Sequence, residues 1–112
     1  MNEMILDDPV LREELDVLLA KTSVPAGCPI DVARQAAFIA VGMLTMLCGS
    51  LHDGEVQAFF DRDVLPFVNA SGEARNTYLA VLTLASQGDN WPVDPIVPQD
   101  MLDHRLVKYS SL

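Results

Sequence analysis

Two histidines each stand beside an aspartate, His52 before Asp53 and His104 after Asp103. A histidine oriented by a carboxylate is the usual general base, and a nucleophile or water held against it would complete a hydrolytic centre. Neighbours along a helical chain do not face one another, however. No serine sits in a glycine-flanked elbow. Cys48 and His52 are four apart, a spacing that can place both on one helical face. Gly49 and Ser50 interrupt the helix between them, and a structural zinc site needs four ligands. Cys28 and His104 would have to complete the set from distant loops, so the simpler reading of Cys48 is a buried small hydrophobe. Asp61 and Asp63 flank Arg62, and Asp7 and Asp8 precede Pro9. Neither group has the alternating ligand loop, glycine and closing glutamate of a calcium site. Capping and solvation account for both. The sequence also lacks a phosphate-cradling glycine loop and a basic patch interleaved with aromatics. The reading is therefore non-enzymatic, with no catalytic residue, metal ligand or cofactor to name.

The elements that would position any binding residue are helices. The 112 residues suffice for one domain, and 50% of them are hydrophobic against 21% charged, which excludes disorder for the chain as a whole. Pro9 suits the first turn of a helix capped by Asp7 or Asp8, and Leu11, Leu15, Leu18 and Leu19 form its apolar stripe. Thr22 to Pro29, with two prolines and a glycine, reads as a loop. A second helix from about Ile30 to Cys48 is apolar on nearly every side beyond Ala36 and should be the central buried helix. Its small residues, Ala33, Ala36, Ala37, Ala40 and Gly42, let neighbouring backbones approach. A third helix begins near Asp53, a plausible N-cap, and carries Val56, Phe59, Phe60 and Val64 at helical spacing. Pro66 should end or kink it. Ser71 reads as the N-cap of a fourth helix with Ala74, Tyr78, Val81, Leu82 and Ala85 as its buried stripe, and Gly88 as its C-terminal cap. The prolines at 92, 95 and 98 make the following stretch extended, with a short helix from Asp100 to Lys108. The expected fold is all-α: a compact bundle of about four helices over residues 1–88, with an irregular proline-rich tail over 89–112 lying on the domain or on a partner.

Helices two to four resemble part of the TorD/DmsD/NarJ family, chaperones that bind the signal peptides of molybdoenzymes. The resemblance is carried by Pro29 and Asp31, then Phe60, Asp61, Leu65, Pro66 and Phe67, then Tyr78 and Leu79, across residues 29–85. Asp63 stands where the family usually has a histidine, Ile30 separates Pro29 from Asp31, and the chain has about half the family's length. The resemblance implies an all-helical chaperone that binds a basic leader peptide.

Charge and apolar content bound the partner. The formal net charge of −9, from 16 acidic and 7 basic residues, repels phosphate, so nucleic acid and anionic membranes are excluded as expected partners and a basic protein surface is favoured. Two cysteines are too few for a disulfide framework. Met1-Asn2-Glu3-Met4 lacks a basic leader region, and the near-apolar run from Ala36 to Cys48 is too short to cross a bilayer, so the expectation is a soluble cytoplasmic protein. A domain this small has trouble hiding so much apolar side chain alone. The expected function is that of a protein-binding regulator of the anti-activator or inhibitor type, which occludes a larger protein such as a transcription regulator. Met43, Met46, Phe59 and Trp91 are the expected anchors. A homodimer seamed along the second helix is expected from its all-round apolar surface.

Overall fold

The most apolar stretch of the sequence becomes the axis of the fold. The computed structural model describes residues 9–22, 24, 27–87 and 94–111, and within them the molecule is all-α. The central helix α2 (Ile30–Gly49) buries Ala33, Ala36, Ala37, Ala40, Met43, Leu44, Leu47 and Cys48. Small residues at three- and four-residue spacing keep that face flat enough for a second backbone to approach. Helix α5 (Gly72–Ala85) uses it and makes the most extensive contact with α2. Its buried side chains include Ala74, Tyr78, Val81, Leu82 and Ala85, as the spacing requires, and Ser71 caps it by accepting the Ala74 amide at 3.0 Å. Helix α1 (Pro9–Ala20) lays Leu15 and Leu19 against the same core. Arg34 holds α1 in place with a two-pronged contact to Asp16, 2.9 Å from each nitrogen.

By length and composition α2, at 20 residues, is able to cross a bilayer, so the shorter Ala36–Cys48 run understated the helix. Here α1, α5 and the elements below wrap it. Half of its most apolar window is buried by the chain itself.

The third helical rod departs from expectation at its start, and its regular α-helix is interrupted just before Pro66. Asp53 is the first residue of α3 (Asp53–Phe59) rather than its cap; His52 takes the cap position, without a side-chain hydrogen bond. At the far end Pro66 does not stop the rod. A π-turn over Phe60–Val64 widens the helix, and α4 (Leu65–Val68) continues beyond it. The Leu65 amide reaches five residues back to the Phe60 carbonyl. The wider turn admits the proline ring, which has no N–H to continue the ladder.

Residues 94–111 are more ordered than an extended tail. Helix α6 (Gln99–Ser110) exceeds the expected Asp100–Lys108 and buries Leu102, Arg105 and Tyr109. It seals the C-terminal end of α2. The Ile96 amide donates to the Cys48 carbonyl at 3.0 Å, and Arg105 Nη1 donates to the carbonyls of Leu47 and Ser50, both at 2.8 Å. The Leu47 and Cys48 carbonyls stand in the last turn, where the helix supplies no partner, and Ser50 is its C-cap. Tyr109 packs its ring 4.9 Å from that of Phe60 and donates its hydroxyl to Gln57 at 2.9 Å. Asp7, Asp8, Gly88 and Trp91 lie outside the described residues.

Candidate functional site

One face of α2 stays only partly covered. Asp31, Arg34, Phe38, Val41 and Thr45 follow one another at three- and four-residue steps, with Gly42 four after Phe38 and three before Thr45, and none of them is buried. They form a single stripe. Along its middle lies a groove of about 400 Å³. Phe38, Val41 and Gly42 of α2 line its floor beside the buried Ile39. Leu15 of α1 lines one wall, and Phe59, Arg62 and Asp63, from the end of α3 and the π-turn, line the other.

Each wall is built by the sequence around it. Gly42 leaves room for the Phe59 ring: a Cβ at that position would stand 3.1 Å from Phe59 Cζ. The ring therefore lies directly on the α2 backbone. The π-turn sets the direction of Arg62 and Asp63, which pair with each other through Arg62 Nε at 2.9 Å and Nη2 at 2.7 Å, both to Asp63 Oδ2. That carboxylate raises the arginine's affinity for its proton. Across α2 the Arg34 guanidinium holds the Asp16 carboxyl below the ordinary carboxylate range by hydrogen bonding, partly offset by desolvation. Arg34 and Arg62 are thus each paired with an aspartate, and Arg12 also acts on the Asp16 carboxyl. Asp61 is exposed and accepts a hydrogen bond from the neutral amide of Gln57 at 2.9 Å.

The expected anchors separate. Phe59 lines the groove and is half-buried. Met46 is half-buried one turn beyond Gly42, outside the lining. Met43 is fully buried, because one residue step turns a helix by about 100° and carries Met43 from the open stripe into the core. Trp91 lies outside the described residues. Leu15, Phe38, Val41, Gly42, Arg62 and Asp63 were not named as binding residues from sequence. For Phe38, Val41 and Gly42 the signal was the 38–41–42–45 spacing, and it was masked within a helix apolar on every side.

Of the groups that suggested chemistry, Asp53 is bound by Arg105 and lies within electrostatic reach of His104. His52 and His104 are both exposed, whereas Cys48 is fully buried, so the Cys48–His52 pair shares no face. Burial pushes the Cys48 thiol up, against a smaller opposing effect of Arg105, which leaves it protonated and unreactive at neutral pH. Burial likewise raises the Tyr78 hydroxyl, which has no hydrogen-bond partner among the described residues. Among the described residues no three His, Cys, Asp or Glu side chains come together to hold a metal ion. A second depression, of about 460 Å³, runs over the outer side of α5 beside Lys21, Asn76 and Thr83. It is shallower and carries no aromatic side chain. No protein-family model matches the chain, and no curated protein or solved structure matches it.

Proposed function

We propose that this protein is a non-enzymatic regulator that binds a larger protein and occludes one of its working surfaces, as anti-activators and inhibitors do. One observation carries the reading: the apolar groove over α2, floored by Phe38, Val41 and Gly42 and walled by Leu15 and Phe59. Three separate elements leave an aromatic-lined apolar surface open where a continued bundle would have closed it. Contiguous apolar surface of this kind marks protein contacts, and a few large side chains in such a patch supply most of an interface's energy. Phe59 and Phe38 are the anchors in this reading, with Met46 at the margin. The net charge of −9 favours a protein over nucleic acid or an anionic membrane. A transcription regulator in the cytoplasm is the partner class that fits an occluding role.

A second reading has its own support. Phe60, Asp61, Leu65, Pro66 and Phe67, among the residues that resemble the molybdoenzyme chaperones, belong to the π-turn and α4, the segment that also carries Arg62 and Asp63 of the groove wall. A groove beside that motif, in an acidic protein, suits a leader peptide with a basic start and an apolar centre.

Site-specific photocrosslinking in the native host separates the two. A photoreactive amino acid at Val41 is expected to capture one dominant protein, and the same group at Thr83 on α5 is expected to capture none. A regulator in the adduct supports the first reading and a molybdoenzyme precursor the second. Capture from Thr83 alone refutes both.

A further inference from the structure

Resting on the groove as a protein-docking site, we infer that its occupant is an amphipathic helix whose polar flank is rich in lysine and arginine. The shape argument comes from α2. The open stripe from Asp31 to Thr45 spans about 21 Å at 1.5 Å per residue. That length matches about four turns of an opposing helix and exceeds what a compact small molecule covers. The middle of the stripe, Phe38 to Gly42, lies between Leu15 of α1 on one side and Phe59, Arg62 and Asp63 of the α3–π rod on the other, and nearer its start Arg34 pairs with Asp16 of α1. A helix laid in that gap becomes one more neighbour of a helix already wrapped by helices, with its apolar face toward Phe38, Val41 and Phe59.

The charge argument selects the flank. Arg34 and Arg62 are each held by an aspartate, Asp16 and Asp63. Asp31 and Asp61 are exposed at the borders of the stripe and the π-turn. Arg12 adds one more cation beside Asp16, against a net charge of −9 over the whole chain. A second copy would bring the same charge to the groove and be repelled, whereas a basic helix is steered in and held at its margins.

The test is an NMR titration of the isotope-labelled full chain with two synthetic helices of about 18 residues, roughly 27 Å long. One carries leucine on one face and lysine on the other; its counterpart has glutamate in place of every lysine. The lysine probe is expected to shift the amides of Phe38, Val41, Gly42, Phe59 and Asp63. It should bind at least about tenfold more tightly than the glutamate probe at low salt. That gap should close between about 0.01 M and about 1 M salt, as the screening length falls from about 30 Å to about 3 Å. Val41→Gln, with an unchanged circular-dichroism spectrum, should weaken the lysine probe by about tenfold. Equal binding of both probes at the groove overturns the basic-helix inference and leaves the docking site standing. Shifts confined to another face overturn both. Concentration-dependent shifts of the same amides in the free protein identify a second copy as occupant and overturn the inference.

Discussion

Arg105 carries a full positive charge into a position 3% exposed, and its contacts explain why it is tolerated there. Its guanidinium donates to the carbonyls of Leu47 and Ser50 and, through Nε and Nη2 at 3.0 and 2.7 Å, to Asp53 Oδ1. One side chain thereby closes the end of α2, the start of α3 and the middle of α6. Removing it strands buried acceptors, which costs more than the bonds gain. Arg105→Leu should lower stability by about 3 kcal/mol in urea unfolding, and Arg105→Lys, which keeps the charge and loses the fork, by about half of that. Asp53 is 76% exposed, so its share is felt through pH rather than burial. The Arg105 hydrogen bond is the main cause that holds its carboxyl below the ordinary value of 3.8. A lowered folded-state pKa stabilises the fold above the unfolded-state value and loses that contribution as pH falls through the folded one. The stability difference between wild type and Asp53→Asn should therefore be constant near neutral pH and shrink below about pH 4. Thermal melts from pH 7 to pH 2 measure it.

At the scale of elements, the close approach of α3 to α2 depends on Gly42. Glycine within a helix costs about 1 kcal/mol relative to alanine, and here the cost is offset by seating the Phe59 ring. The 3.1 Å separation that a Cβ would have from Phe59 Cζ forces the half-buried ring to turn. Gly42→Ala should consequently change stability by less than about 1 kcal/mol, as helix propensity and displaced packing oppose each other. Its effect should appear instead in the ring and amide signals of Phe59, Arg62 and Asp63. The π-turn acts at the same scale. By adding one residue to the turn before Pro66 it continues the rod to Val68 and turns Arg62 and Asp63 toward the groove. Such turns occur often at functional sites.

At the scale of the whole molecule, the Cα radius of gyration is 13.3 Å, against about 13 Å for a compact domain of this length. Val97, Leu102 and Tyr109 belong to the same core cluster as α2. Residues 94–111 are therefore part of the domain and not an appendage to it. A chain truncated before Gln99 exposes the end of α2 and strands the Leu47 and Ser50 carbonyls. It should lose its cooperative thermal transition, whereas a passive tail would leave the transition in place. Calorimetry of the two chains distinguishes these outcomes.

The helical class, the central place of α2, the Ser71 cap, the buried stripe of α5 and the burial of Cys48 were all legible in the sequence. Each follows from residues within one or two turns of each other, where spacing and capping act. The tertiary structure alone decided which face of α2 stays open, since a helix apolar all round carries no mark of where its neighbours will lie. It also decided that Met43 belongs to the core, while Leu15, Phe38 and Asp63 meet at a groove. It placed Arg105 at the end of α2 through contacts spanning 52 to 58 residues of chain. Local pattern fixes which residues must leave water. Only the assembled helices determine which of them one another's surfaces can cover, and the uncovered remainder is the candidate site.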